Sequence, residues 1–206
     1  MKSGVICMGA ISLIEDEFMI IDLPYGARGK CTVLEISQVH SERIEAALEA
    51  ASDDDETAFD DAAPASLSEM FRVGEVVLCS VLDTAPYVKL SLKPELFNQF
   101  QQYDTRTRWV KKQLVYGEVQ SEEDTGYMLT HPGLPFRSLL PLSAVHSSYA
   151  KRFPIVVGKP IVAFVESWDL YKSSKLLKLS VPRDLSRCGS VASFGRSLDP
   201  AETISN

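Results

Sequence analysis

Short apolar runs separated by polar turns fill most of this chain, and one pair of runs occurs twice. Val76–Leu82 and Val88–Leu92 are rich in β-branched and aliphatic residues, and the polar stretch between them holds turn-forming residues. The same arrangement returns at Pro160–Ser167 and Leu176–Val181, where a Leu-Ser pair again lies in the closing run. Both pairs follow a Val-Gly dipeptide. The pattern indicates an internal repeat of one small β-domain.

Three further apolar runs precede each pair and predict three more strands. They are Val5–Ile14, Phe18–Leu23 and Lys30–Leu34 in the first half, and Gln113–Gln120, Gly126–His131 and Ser138–Leu142 in the second. A crossover with helical character follows the third strand of each half, at Glu42–Ala50 and Ser143–Phe153. Five short strands with one long crossover after the third are typical of an OB-type Greek-key barrel.

The sequence therefore predicts an all-β protein of two tandem five-stranded OB-type barrels, with short helices in the crossovers and in the connector. The predicted domains are a first barrel at 3–94 with an acidic insertion at 42–65, a connector at 95–111, a second barrel at 112–183 and a flexible tail or linker at 184–206. Closing a sheet into a barrel removes its edges, which allows a domain of this size to be stable.

The formal net charge of −7 averages over segments of opposite sign. Glu42–Asp61 holds nine acidic residues and one arginine. The lack of apolar periodicity over Ala51–Ala65 predicts a disordered, solvated loop there. Lys89–Lys112 has six basic residues, and Lys151–Arg187 has eight. A basic surface around the repeated units is therefore predicted behind an acidic average, with the denser basic population around the second barrel.

Several classes of function find no support in the sequence. The histidines at 40, 131 and 146 lack ligand spacing, and neither a phosphate-binding GxxxxGK[ST] motif nor a nucleophile GxSxG motif is present. No window is apolar enough to span a membrane, and the four cysteines form no CxxC pair. We expect a reduced, intracellular protein that is not an enzyme and has no cofactor, metal, membrane or small-molecule substrate.

Basic side chains near the repeated strands are the candidates for contacts with phosphate groups of RNA. They are Arg28, Lys30, Lys89, Lys93, Lys111, Lys112, Arg137, Lys175, Lys178 and Arg183. Trp168, with Tyr171 and Tyr87, lies in or beside the loop between strands four and five, which borders the ligand cleft of OB barrels. A ring there could stack on a base or pack in the core, and an ordinary solvated surface remains the alternative for the cations.

Both halves resemble the S-one-type RNA-binding domain, an OB barrel repeated in a large bacterial ribosomal protein. The shared features are a glycine in the first strand (Gly9, Gly117), a glycine bend before the third strand, the Ile-Ser or Leu-Ser that follows it, Val-Gly before the fourth strand and the closing Leu-Ser. The resemblance covers roughly residues 3–94 and 112–183.

A closer resemblance is to the eukaryotic family of ribosomal RNA processing protein five, also called programmed cell death protein eleven. Leu23–Ser37, Ser66–Leu82 and Lys89–Asn98 resemble the first repeat of that family, and Asp124–Pro141 resembles the second. The resemblance implies a nucleolar, non-catalytic module of a ribosome-biogenesis scaffold that acts in pre-ribosomal RNA processing. The implied partners are pre-ribosomal RNA and the assembly factors of the small and large subunits.

The stacking positions of this sequence differ from those of S-one-type domains that grip RNA directly. Such domains usually present aromatic residues on strands two and three, where this chain has Glu17, Ile20 and Thr32 in the first barrel and Thr125, Met128 and Pro141 in the second. Stacking contributes about 1–3 kcal/mol per base. Two functions remain open: weak electrostatic RNA binding made useful by avidity, and protein docking without direct RNA contact.

Overall fold

The structure is a computed structural model that describes residues 2–50, 64–98, 111–134, 136–145, 147–168 and 176–181. Its described strands form two closed five-stranded barrels, which confirms the predicted all-β class with two tandem OB-type domains. The remainder of the acidic insertion (51–63), the rest of the connector (99–110) and the predicted tail lie outside the described residues. No helix in the described ranges is long and apolar enough to cross a membrane.

The first barrel has the strand order β1-β2-β3-β5-β4 and closes by pairing β4 with β1. Its strands are β1 (Ile6–Ile14), β2 (Phe18–Asp22), β3 (Arg28–Thr32), β4 (Val76–Asp83) and β5 (Val88–Ser91). All neighbours are antiparallel except β3 and β5, which are parallel because the crossover lies between β3 and β4. Met19, Ile21, Cys31, Cys79 and Leu90 are fully buried in its core.

The second barrel repeats this topology, with the order β10-β8-β7-β6-β9. Its strands are β6 (Leu114–Glu123), β7 (Gly126–Thr130), β8 (Arg137–Pro141), β9 (Pro160–Trp168) and β10 (Leu176–Ser180). The parallel pair is β8 with β10. Val119, Leu129, Leu140, Ala163 and Leu179 form the centre of its core.

Four α-helices and three short 3-10 turns lie in the described connections. They are the turns Pro24–Gly26, Val33–Glu35 and Leu142–Ala144 and the helices α1 (Gln38–Ala50), α2 (Leu67–Met70), α3 (Glu95–Asn98) and α4 (Ser147–Arg152). The predicted helical turn at Ser66 is confirmed, because Ser66 and Glu69 form a reciprocal capping box that satisfies two backbone N–H groups. Glycine at 74 and at 158 has a positive φ at the turn before the fourth strand of each barrel.

Helix α1 begins one turn earlier than the sequence pattern predicted. Ser37 Oγ accepts a hydrogen bond from the His40 backbone N–H at 3.0 Å, which is the geometry of a helix N-cap. The Gln38 N–H donates to Glu118 Oε2 of the second barrel at 2.9 Å, so a second acceptor holds the same helix end. The predicted start at Glu42 was therefore wrong because the residues that begin the helix are polar and are stabilised by capping and a distant carboxylate.

Candidate nucleic-acid interface

Strand register places three predicted basic candidates of the first barrel on one outer surface. In β2 and β3, Ile20 lies opposite Lys30, and in the parallel pair β3 and β5, Lys30 lies opposite Lys89. Arg28 is two residues before Lys30 on β3 and therefore points to the same side. We call this outer surface of β2, β3 and β5 the basic face, and its members are Phe18, Ile20, Arg28, Lys30, Tyr87 and Lys89.

Two aromatic rings accompany the lysines of the basic face. The Lys30 ammonium lies 3.8 Å from the centroid of the Phe18 ring, and the Lys89 ammonium lies 5.8 Å from that of Tyr87. Phe18 is half-buried and Tyr87 is exposed. Rings on this side of an OB barrel can stack on bases, and cations beside them can contact phosphates.

Acidic neighbours moderate part of the charge on this surface. Arg28 Nε lies 2.9 Å from Asp22 Oδ1 in an exposed ion pair. Asp83 on β4 lies opposite Lys89, and hydrogen bonds from the Ala85 and Thr84 N–H groups lower the pKa of that carboxyl. Lys30 faces the Phe18 ring and Lys89 instead. Like charges directly opposite each other in a sheet are unfavourable, so this pair of lysines favours an anion beside it.

A shallow depression lies at the centre of the basic face, and most of its lining is apolar. It is lined by Ile20, Arg28, Gly29, Lys30, Tyr87 and Val88. A Cβ at Gly29 would lie 2.5 Å from a methyl group of Leu90, so a larger residue there would displace the Leu90 side chain beneath the depression. The depression therefore combines an apolar floor, one exposed ring and cationic edges, which are the features of a site for a stacked base with its phosphate.

Among the residues that the structure describes, the corresponding surface of the second barrel carries fewer cations. Met128 lies opposite Leu139, and Leu139 lies opposite Lys178, so the positions of Ile20, Lys30 and Lys89 are occupied by methionine, leucine and lysine. Arg137 is exposed at the position of Arg28. Gly126 occupies the position of Phe18, and a Cβ there would lie 2.3 Å from the Leu140 carbonyl oxygen. The backbone of β8 therefore leaves no space for a ring at this point.

The other predicted site residues lie away from the basic face or outside the described chain. Lys93 follows β5 and is half-buried. Lys111 Nζ pairs with Glu166 Oε1 at 3.5 Å, and the Lys112 N–H donates to the Val165 carbonyl at 2.7 Å, so both lie beside β9. Trp168 is the last residue of β9. Lys175 and Arg183 lie outside the described residues, and their role stays a prediction.

Phe18 is the aromatic residue that sequence reasoning missed. The stacking positions were sought at Glu17 and Ile20, which flank it on strand two. Met19 and Ile21 are fully buried, so alternation alone would have placed Phe18 and Ile20 outward together. The contact between the Lys30 ammonium and the Phe18 ring is diagonal, since Ile20 is the register partner of Lys30, so finding it required the register between β2 and β3.

Charged residues also meet in a second place, the junction between the barrels. Lys159 Nζ lies 2.7 Å from Glu75 Oε1, and both side chains are more than nine-tenths buried. The ammonium also lies 5.0 Å from the centroid of the Phe71 ring. Burial lowers the pKa of Lys159, and the Glu75 carboxylate opposes this effect by favouring the charged form. Removing one partner of such a buried pair strongly destabilises the folded protein, because the other charge is left buried without a counter-ion.

Tyr116 and Glu118 on the outer side of β6 complete the junction. The Tyr116 hydroxyl donates to the Leu92 carbonyl at 2.8 Å, and its ring meets Phe97 edge-on at 4.9 Å between centroids. Burial raises the pKa of Glu118 to about 6, although hydrogen bonds from the start of α1 favour its charged form. Ser37 Oγ donates to the Gly158 carbonyl at 2.5 Å. The two barrels therefore meet through specific buried polar contacts.

The two described histidines have structural roles. His131 is buried beneath β6, where Nδ1–H donates to the Tyr116 carbonyl at 3.0 Å and Nε2 accepts from Ser138 Oγ at 2.7 Å. Burial lowers its pKa to about 4. His40 is buried against Gly158, and burial also lowers its pKa. Within the described ranges, no three His, Cys, Asp or Glu side chains are grouped to hold a metal ion.

Comparisons with known proteins find similarity in structure. No family model and no curated protein sequence matches the chain. A multidomain protein with nucleic-acid-binding domains from Streptococcus pneumoniae aligns over 86% of this chain and 50% of its own, with 11% identity and a TM-score of 0.39. GSP13 from Bacillus subtilis aligns over 47% of this chain and 66% of its own, with 14% identity and a TM-score of 0.30.

A third similar structure is named as an exosome complex RNA-binding protein. It aligns over 57% of this chain and 51% of its own, with 15% identity and a TM-score of 0.28. The chain thus spans between half and two thirds of the length of these three structures. The fold assignment rests on the strand order and register given above.

Proposed function

We propose that the first barrel binds single-stranded RNA through the basic face, without catalysis. The observation that carries the proposal is the pairing of Lys30 with Lys89 across β3 and β5, beside the rings of Phe18 and Tyr87. Two adjacent lysines that share no carboxylate repel each other, and a bound phosphate relieves this repulsion. The exposed Tyr87 ring can stack on a base.

The residues of the basic face contact two different parts of the RNA. Lys30 and Lys89 contact phosphates, and binding through phosphates does not depend on the RNA sequence but weakens as salt rises. Tyr87 is exposed and stacks on a base, whereas the Phe18 ring is partly covered by the Lys30 ammonium. Arg28 is held by Asp22 and contributes less. One exposed ring and two lysines, one of which lies opposite Asp83, give weak binding, so the module gains effective affinity when tethered to other RNA-binding modules.

The proposed cellular role is that of a module in a ribosome-biogenesis scaffold acting in pre-ribosomal RNA processing in the nucleolus. Support comes from the resemblance of Leu23–Ser37, Ser66–Leu82, Lys89–Asn98 and Asp124–Pro141 to the family of ribosomal RNA processing protein five. The proposed partners are pre-ribosomal RNA and assembly factors of both ribosomal subunits.

A second candidate function, docking of an assembly factor without RNA contact, is favoured by the second barrel. Met128 and Leu139 are half-buried neighbours on the surface that corresponds to the basic face. An apolar centre with Arg137 and Lys178 at its edge is more typical of a protein contact than of a phosphate contact. The two barrels would then divide RNA binding and protein docking between them.

Titration of a labelled, unstructured single-stranded RNA against the full chain at several salt concentrations tests RNA binding. Each phosphate neutralised on a single strand contributes about −0.7 to the slope of log affinity against log salt. Replacing Lys30 and Lys89 with Gln should make the slope shallower by about 1.4. The matched control is Lys151→Gln, an exposed lysine on α4 outside the basic face, which should leave the slope unchanged.

Two results would reject this function. Absence of binding at low salt would favour the docking function. Binding that is weakened equally by the control and by the basic-face variants would indicate general attraction to a charged chain.

A further inference from the structure

Two thiols face each other across the seam that closes the first barrel. Cys7 on β1 and Cys79 on β4 are register partners in the antiparallel pair, and their Sγ atoms lie 3.7 Å apart. Directly opposed residues of an antiparallel pair have Cα atoms about 4.5–5.5 Å apart, which lies within the range that a disulfide spans. A small side-chain rotation would therefore bring the sulfurs to bonding distance without moving the strands.

The two thiols differ in their access to solvent. Cys79 is fully buried, and burial followed by the nearby Cys7 sulfur raises its pKa well above the ordinary range. Cys7 is half-buried on β1. A reagent from solvent therefore reaches Cys7 first, whereas Cys79 is available only to a group already attached at Cys7.

We propose that Cys7 and Cys79 form an oxidation site for hydrogen peroxide, with Cys7 as the reacting thiol and Cys79 as the resolving thiol. The Cys7 thiol loses its proton, its sulfur attacks one oxygen of hydrogen peroxide, and the O–O bond breaks. Cys7 becomes a sulfenic acid, and the leaving hydroxide takes up the thiol proton and departs as water. The Cys79 sulfur then attacks the Cys7 sulfur, the S–O bond breaks, and a second water leaves with the Cys79 proton. Two thiols are oxidised by two electrons and one peroxide is reduced.

The product would tie together the two strands that close the barrel. Cys7 and Cys79 are separated by 72 positions in the sequence, so the bond encloses β2, β3 and α1. A cross-link over so long a loop restricts the unfolded chain, and we expect a higher melting temperature for the oxidised protein. The basic face lies on β2, β3 and β5, so RNA affinity should be the same in both states.

Cys31 provides a matched internal control. It is fully buried in the same core, but its thiol lies 3.7 Å from the Glu35 carbonyl oxygen and 3.8 Å from that of Thr32. Burial, with the Glu35 carboxylate, raises its pKa well above the ordinary range. Cys31→Ser should therefore leave the cross-link between Cys7 and Cys79 unchanged.

The test treats the reduced full chain with hydrogen peroxide, blocks residual thiols by alkylation and maps peptides by mass spectrometry. The expected product is an intramolecular peptide pair joined through Cys7 and Cys79, with the loss of two hydrogens and reversal by dithiothreitol. In Cys79→Ser, Cys7 should accumulate as a sulfenic acid that dimedone traps. In Cys7→Ser, neither the cross-link nor a dimedone adduct at Cys79 should form.

Mapping of the wild-type protein decides the proposal even where a core variant folds poorly. A wild-type cross-link that uses Cys31 or Cys188, or that joins two chains, would overturn it. So would a bond between Cys7 and Cys79 that forms only in denaturant. A dimedone adduct at Cys79 in Cys7→Ser would overturn the assignment of Cys7 as the reacting thiol.

Discussion

The outer side of β6 and β9 in the second barrel corresponds to the outer side of β1 and β4 in the first. Among the described residues, the first barrel covers the former, whereas the latter is exposed. Tyr116 lies opposite Val162, and Met8 lies opposite Leu78. Each is followed by the glycine of its first strand, so Tyr116 and Met8 occupy equivalent positions in the two barrels. Tyr116 is 6% exposed at the junction, whereas Met8 is 65% exposed. The same position in the same topology therefore serves two purposes.

The difference between these two faces lies in how polar groups are satisfied. On the covered face, Glu118 and Lys159 have partners in the first barrel, at Gln38 and Glu75. On the uncovered face, the position of Glu118 is occupied by Ala10, which needs no partner. Buried charge is tolerated only where another element supplies its counter-charge or hydrogen bonds, so the junction specifies one arrangement of the barrels.

The largest expected effect comes from removing one charge of the buried pair. Lys159→Met leaves Glu75 buried without its counter-ion, and we expect a loss of about 3–5 kcal/mol in the free energy of unfolding. The double variant Glu75→Leu with Lys159→Met removes both charges and should recover most of this loss. Denaturant unfolding monitored by intrinsic fluorescence measures both values. A loss below 1 kcal/mol in the single variant would mean that the barrels do not bury this pair in solution.

The next effect concerns His131, which lies beneath the covered face where the first barrel has Leu23. Its pKa falls to about 4 from an ordinary 6.5, so the unfolded chain binds a proton before the folded one does. Stability from this group is complete above pH 6.5 and is lost as pH falls towards 4, by roughly 3 kcal/mol. His131→Leu should remove this acid dependence, measured as the difference from wild type in a pH series of unfolding curves.

Taking that difference cancels the opposite contribution of Glu118. Its pKa of about 6 lies above the ordinary value, so its protonation makes the folded state more favourable as pH falls. Equal acid dependence in wild type and His131→Leu would show that the ring becomes charged in the folded protein at the same pH as in the unfolded chain.

The smallest expected effect comes from removing a single atom, the Tyr116 hydroxyl oxygen, on the covered face. Tyr116→Phe removes the hydroxyl that donates to the Leu92 carbonyl and should cost about 1 kcal/mol. Met8→Leu, at the matching exposed position, should change the free energy of unfolding by less than about 0.5 kcal/mol. Chemical denaturation of both variants gives the two numbers, and equal losses would mean that the junction contact has no special value.

The strands could be predicted because alternation and turn residues are local properties. Met19 and Ile21 face the core while Ile20 faces outward. The strand itself could be predicted from this apolar run and the turn after it, but the inward face could not, because Phe18–Ile21 are all apolar. The junction could not be predicted, because Glu75 and Lys159 look like ordinary surface charges until two distant segments meet. The basic face was predicted in part: Lys30 and Lys89 were candidates, but their adjacency and the role of Phe18 depend on register.

The order of the junction residues along the chain also affects how the protein folds during its synthesis. Ser37, Gln38 and Glu75 are translated before Glu118, Gly158 and Lys159, with which they pair. At about 5–20 residues per second, the ribosome supplies Lys159 on the order of ten seconds after Glu75. During that interval the nascent first barrel keeps the Glu75 carboxylate hydrated and the start of α1 without its distant acceptor. Synthesis of the second barrel therefore finishes the folding of the first.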